Sequence, residues 1–203
     1  FVDSYDYKPT NYLAADETYT KVKGVRHYVW FIMDALKKSI LGYQISNTRD
    51  VGPCILAMRM AFAKFKKFPG MALKFAADGY TAYKLAQQQF SLQYMNFNLI
   101  QVIGLTNDDP VSSEYRWLKQ IIERLNRTFK FSYQVTNGYG SAEGSNTHVA
   151  LFVAYYNFLR PHPYTYWQPL NSIPDLESIS NMPGKWQKLI ELSQQLILSK
   201  QAS

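Results

Sequence analysis

A single cysteine, Cys54, stands in 203 residues, so no internal disulfide can staple the fold and none is needed from an oxidising compartment. Histidine is nearly as scarce: His27, His148 and His162 are scattered, and with one thiol they cannot furnish a structural zinc site. No apolar run approaches the roughly 20 residues that cross a bilayer. The longest uncharged one near the C-terminal end, residues 149–156, is far shorter. Internal repeats, low-complexity tracts, a secretory leader and a legible Ser-His-Asp arrangement are all missing. These absences make a cytoplasmic, non-membrane protein the expectation. The chain opens on Phe1 rather than methionine, so it is expected to be a fragment with any N-terminal module outside it.

What is present fits a folded core. Apolar side chains make up 47% and charged ones 18%, the balance of a globular domain rather than a disordered segment. Basic residues outnumber acidic ones by 22 to 15, a formal charge of +7 that favours a polyanionic partner. Two stretches hold much of the excess: Arg59, Lys64, Lys66, Lys67 and Lys74, then Arg116, Lys119, Arg124, Arg127 and Lys130. Such clustering points toward nucleic acid.

Periodicity sets the architecture. Residues 12–22 read as a strand, Lys23-Gly24 as a turn and 27–33 as a second strand, with a third over 40–45. From 51 to 68 the apolar residues Ile55, Met58, Phe62 and Phe65 recur at helical spacing behind Asp50 or Thr48 as cap. A strand over 71–77, a helix over 81–90 and a strand over 98–105 follow. The remainder reads as helical from Ser112, apart from a loop over 137–146 and a proline-rich connector over 160–174. The order β-β-β-α-β-α-β-α implies an α/β fold with a mixed β-sheet, a meander on one side and parallel crossovers on the other, flanked by helices and followed by extra C-terminal ones. That order is characteristic of ribonuclease H-like folds. Residues 1–163 are read as the core with a short leader, and 164–203 as a connector and helix of about 185–200.

Three carboxylates fall where phosphodiester chemistry needs them. Two-metal catalysis requires acids from separate elements to converge on ions about 3.5–4 Å apart. Asp16 lies within the first strand beside Glu17, and alternation sends the two to opposite faces, leaving one to face a site. Asp78 ends a buried strand, at the edge where open α/β sheets place ligands. Glu123 lies on a helix whose apolar face carries Trp117, Leu118, Ile121, Ile122, Leu125 and Phe129, and whose other face collects Lys119, Asn126, Arg127 and Lys130. Taken singly, each acid also has a plain reading: a turn starter, a lysine partner or an i,i+4 surface pair. Glu114 competes for the third place, but a carboxylate near the helix start more often supports the N-terminus, and the cationic face favours Glu123.

These residues resemble the DDE transposases of bacterial and archaeal insertion sequences, relatives of retroviral integrases, over about residues 15–163. Asp16-Glu17-Thr18-Tyr19 with Lys21-Val22-Lys23-Gly24 is similar to the first-aspartate strand and its hairpin. Ala77-Asp78-Gly79 with Tyr83 resembles the second-aspartate motif, and Glu123-Arg124 with Asn126-Arg127-Thr128-Phe129-Lys130 the glutamate helix. Residues 156–162 resemble the segment closing many such cores.

The resemblance implies that Asp16, Asp78 and Glu123 bind two Mg²⁺ or Mn²⁺ ions. It implies cleavage at transposon ends and strand transfer into target DNA, with Lys119, Asn126, Arg127 and Lys130 contacting nucleic acid. It further implies a homo-oligomer in a synaptic complex, associated with the nucleoid of a prokaryotic cell. Three departures stand out: 44 residues separate Asp78 from Glu123, a longer interval than the family's usual one; Pro163-Tyr164-Thr165-Tyr166-Trp167 replaces its usual tail; and no helix-turn-helix or zinc-binding module precedes the core, so recognition of transposon ends is expected to reside outside this sequence. A catalytically silent DNA-binding module and a ribonuclease H-type nuclease that does not join remain the alternatives. His162, next to Arg160-Pro161, is expected to be structural or to brace the site or DNA. The glycines of 138–144 suggest a loop with Ser141 or Ser145 as a cap rather than a dinucleotide turn.

Overall fold

The computed structural model describes residues 1–103 and 109–201. Contacts divide the chain into two compact units, Lys8–His148 and a second made of Phe1–Tyr7 with Val149–Ser203. The larger unit contains a five-stranded sheet of β1 (Tyr12–Val22), β2 (Val25–Asp34), β3 (Ile40–Ser46), β4 (Lys74–Ala77) and β5 (Asn98–Gln101), in the order β3-β2-β1-β4-β5. The first three strands form an antiparallel meander, while β4 and β5 pair parallel to β1 and to each other. This is the expected mixed sheet. Val22 pairs with Val25, so the β1–β2 link is a two-residue loop, and both of its residues lie in the left-handed region, Lys23 at φ 49° and Gly24 at φ 78°. Such a loop matches the natural strand twist and favours glycine.

Alternation along β2 shows which helices cover which face. Trp30 meets the rings of Tyr80 and Tyr83, whereas Phe31, its neighbour, meets Phe129. The first face is covered by α1 (Val51–Phe62) and α2 (Thr81–Ser91), the second by α3 (Pro110–Gln134). A cluster of Phe62, Phe75, Phe90 and Phe97, with ring centroids 5.0–6.2 Å apart, fills the first layer. Asp50 caps α1 by accepting from the Gly52 N–H, and Asp109 caps α3 by accepting from that of Ser112.

Helix α1 stops six residues before the apolar period does. Pro69 disfavours helical backbone at Phe68, and Phe65 and Phe68 instead meet edge-to-face beyond the helix, with Phe68 packed 5.1 Å from Phe62. The expected strand over 71–77 begins only at Lys74, after a 3-10 turn over Gly70–Ala72. Strand β5 ends at Gln101, and Leu105, the end expected for it, lies outside the described residues. The loop expected over 137–146 gives way at Ala142 to α4 (Ala142–Ala154), whose first turn is supported by Ser141 accepting from the Gly144 N–H.

Asp34 is fully buried without belonging to any site. It closes the β2–β3 turn by accepting from the backbone N–H groups of Thr10, Leu36 and Lys37 and from the Thr10 hydroxyl, at 2.6–2.9 Å. Gly42 of β3 lies against α1. A Cβ there would collide with the Ala57 carbonyl oxygen and lie 3.0 Å from the Ala61 nitrogen. Gly42→Ala should therefore cost about 3 kcal/mol through overpacking, read as a lower urea midpoint; an unchanged midpoint would contradict this close approach.

In the second unit, Phe1, Tyr5 and Tyr7 surround Phe158 with ring centroids 5.0–6.0 Å from it. Buried Asn157 donates to the Tyr7 hydroxyl, and its carbonyl accepts from the Asn171 side chain. His162 is buried, with Nε2 2.9 Å from the Tyr156 carbonyl oxygen, a structural role. A short α5 (Pro174–Glu177) precedes α6 (Met182–Gln201). Among the described residues no helix is long and apolar enough to cross a membrane.

Candidate metal centre

Strand register places the first two acids. Tyr12 pairs with Lys74, Leu13 with Phe75 and Ala14 with Ala76, a constant offset that sets Asp16 level with Asp78 on adjacent parallel strands. Residues at equal register share a face, so both aspartates lie on the α3 side, just past the last pair. Asp78 directly follows β4 and starts a turn in which its Oδ1 accepts from the Tyr80 N–H at 2.9 Å. Asp16 Oδ1 accepts from the Glu17 N–H at 3.0 Å, and Oδ2 from Asn126 Nδ2 at 3.0 Å.

Glu17 joins them. Its supports lie on the α1–α2 side, as alternation requires: Tyr83 donates to Oε2 at 3.1 Å, and Arg49 donates to Oε1 through Nε at 2.7 Å and also through Nη2. Yet Asp16, Glu17 and Asp78 each offer an oxygen within 4.8 Å of the others. The expectation that only one of the Asp16–Glu17 pair could face the site therefore needs correction. Beyond the Ala14–Ala76 pair β1 has no paired neighbour on that side, and long Glu17 reaches the gap from the opposite face.

Crowding has an electrostatic consequence. Burial, followed by the charges of Glu17 and Asp78, pushes the Asp16 carboxyl up to about 7, with Lys119 pulling the other way. Three carboxylates crowd there against the Arg49 guanidinium on Glu17 and the nearby Lys119, so negative charge is in surplus. The site also holds an orphan, since the buried Oδ1 of Asn126 has no donor although Nδ2 of the same amide holds Asp16. An all-oxygen donor set with surplus negative charge suits a hard divalent cation such as Mg²⁺ or Mn²⁺ rather than zinc.

Helix α3 runs alongside β1. Trp117 lies 6.0 Å from Tyr12, Asn126 bonds Asp16, Lys130 Nζ donates to the Tyr19 carbonyl at 2.6 Å, and Tyr133 accepts from the Lys21 N–H at 2.8 Å. Glu123, half-buried, sits about one turn before Asn126 on the same strip and is not part of the tight acidic group among the described residues. Glu114 is exposed in the second turn of α3. Lys119 is half-buried near Asp16, Arg127 is exposed, and Lys130 also lies 3.3 Å over the Tyr19 ring. Asn126 and Lys130 thus have partners within the protein. The sequence reading did not single out Glu17 as a site group, nor Arg49 or Tyr83 as its supports; the adjacent acid in Asp16-Glu17 was the one local hint.

The fold is that of solved integrases. A chain of the simian T-cell lymphotropic virus intasome, in complex with PP2A regulatory subunit B56 gamma, is 16% identical, with 86% of this chain and 60% of that one covered and a TM-score of 0.58. The HTLV-2 integrase catalytic core domain in complex with magnesium is similar in its dimeric form, at 13% identity, 77% and 92% coverage and a TM-score of 0.51. Its trimeric form gives 12%, 82% and 97%, and 0.50. The first relative is thus spanned over 60% of its length. No curated protein matches the chain. Residues 11–160 match the DDE domain of the IS240 transposase type, so the chain belongs to the DDE domain family.

Proposed function

We propose that the chain is the catalytic core of a DNA transposase that cleaves transposon ends and transfers them to target DNA. The observation that supports this best is the register placing Asp16 and Asp78 side by side at the end of β4. Asp16, Asp78 and Glu123 are the proposed ligands of two Mg²⁺ or Mn²⁺ ions. Bound there, such ions supply Lewis acidity toward a phosphodiester.

The chain's own groups do the positioning. Asn126 fixes one Asp16 oxygen and the Glu17 N–H the other, while the Tyr80 N–H fixes Asp78. Lys119, Asn126, Arg127 and Lys130 are the proposed DNA contacts along α3, where cations would hold phosphates beside the acids. In the first reaction water attacks the phosphorus at a transposon end and the 3′-oxygen leaves. In the second that 3′-hydroxyl attacks a target phosphodiester, so one bond forms for each one broken and no protein–DNA bond is needed.

Residues 1–163 are the proposed core, with 164–203 as connector and helix. A homo-oligomer is the proposed working form, favoured by exposed Phe131 and Val135 on and just beyond α3, at 77% and 84% exposure. The cytoplasm, on the nucleoid, is the proposed location.

Incubating the protein with labelled DNA in Mn²⁺ or Mg²⁺ tests the reading. Metal-dependent nicked and joined products are expected. Nicks without joining would favour a hydrolase, and salt-sensitive binding without nicks a silent DNA-binding module.

A further inference from the structure

We infer that Arg49 is a built-in counter-cation that holds Glu17 in reserve, an additional carboxylate for the metal centre that is masked in the metal-free protein. The inference rests on the metal-centre reading above and concerns what controls that centre's affinity.

Glu17 is an unusual member of the group. Its side chain is only 5% exposed, whereas that of Arg49 is 40% exposed. A buried carboxylate needs a charge partner or a metal, and here its cation is the more exposed of the two, on the solvent side. The other partner, the Tyr83 hydroxyl, is neutral and stays with Oε2 when Arg49 leaves. Glu17 already offers an oxygen within 4.8 Å of those of Asp16 and Asp78, so exchanging a guanidinium for a divalent ion asks for no change in backbone.

Arg49 is held at the right spot by the site itself. Its guanidinium lies 4.0 Å over the Tyr80 ring, and the Tyr80 hydroxyl donates to the Arg49 carbonyl. The backbone N–H of the same Tyr80 holds Asp78. One residue therefore links the cation to the acid it competes beside. A surface ion pair unrelated to the centre would not share this anchor.

Charge bookkeeping gives a ladder of variants, read by electron paramagnetic titration of free Mn²⁺ with the full chain, folding checked by circular dichroism. Arg49→Gln leaves Glu17 uncompensated and should tighten Mn²⁺ binding by about tenfold, the lower end of effects from groups outside the ligand shell. Glu17→Gln leaves Arg49 uncompensated and should weaken it by a similar factor. The double variant, Glu17→Gln with Arg49→Gln, should return to the wild-type affinity.

Unchanged or weaker binding in a folded Arg49→Gln protein overturns the inference. So does a double variant as weak as Glu17→Gln, because Glu17 would then be a ligand already in the wild type. If Arg49→Gln does not fold, Glu17→Gln and the double variant decide by the same rule. Asp78→Asn is the control: retained Mn²⁺ binding there sinks the metal centre itself, whereas its loss alongside an unaltered Arg49→Gln protein sinks the mask alone.

Discussion

Asp78→Asn is expected to abolish DNA cleavage and joining, by at least about 10³-fold as for other essential groups of a catalytic unit, while leaving the protein folded. Asparagine is the informative replacement because its side-chain oxygen can still accept from the Tyr80 N–H, so the turn after β4 survives. What disappears is one negative charge level with Asp16, and a divalent ion held by few carboxylates loses much of its attraction. DNA affinity should change little, since the proposed phosphate contacts are the cations of α3. Gel assays of cleavage and joining, paired with a DNA-binding titration, check both halves. Activity within tenfold of wild type would remove Asp78 from the catalytic site.

Asp16→Asn should do something less usual: end catalysis and stabilise the metal-free protein at alkaline pH. The Asp16 carboxyl is raised from 3.8 to about 7, by burial first and then by Glu17 and Asp78. A carboxyl whose pKa is higher folded than unfolded binds its proton more tightly in the native state. The stability it lends is fully present below about pH 4 and is lost as pH rises through about 7. At pH 8 the wild type bears the full cost of a third carboxylate, and the amide variant does not. Without metal, Asp16→Asn should melt roughly 5–10 °C higher than wild type at pH 8, given about 2–4 °C per kcal/mol for a chain of this size. The gap should close toward pH 4. Calorimetry in a chelator across that range decides it; a variant that melts lower at pH 8 would show that Asp16 is stabilised by its surroundings instead. Function and stability pull in opposite directions at this position, as they often do in active sites.

The sheet was largely legible because its signals are local. Alternation over residues 12–22, the Lys23-Gly24 turn and the caps at Asp50 and Ser141 each act within a few residues of their effect. Apolar spacing continues through Phe65 and Phe68 although α1 ends at Phe62, so a local pattern alone extends that helix too far. Among the acids, Asp16 and Asp78 were visible from strand position, and pairing register then brought them together. Alternation alone cannot bring Glu17 to the site, because it describes where a side chain starts, not how far a long one reaches past the end of a neighbouring strand. Its partners Arg49 and Tyr83 lie 32 and 66 residues away. No local pattern announces such pairs. Asp34 shows the reverse case, a fully buried acid explained by four hydrogen bonds in a turn and therefore spare of any chemistry.

The most direct test of the metal centre is manganese anomalous scattering from crystals soaked near neutral pH. The expected result is an anomalous peak among the carboxylates of Asp16, Glu17 and Asp78, absent from Asp78→Asn crystals. Where the Glu123 carboxylate stands relative to that peak would decide the third proposed ligand. A folded, accessible site that gathers no manganese, in crystals with DNA as well as without it, would contradict the account.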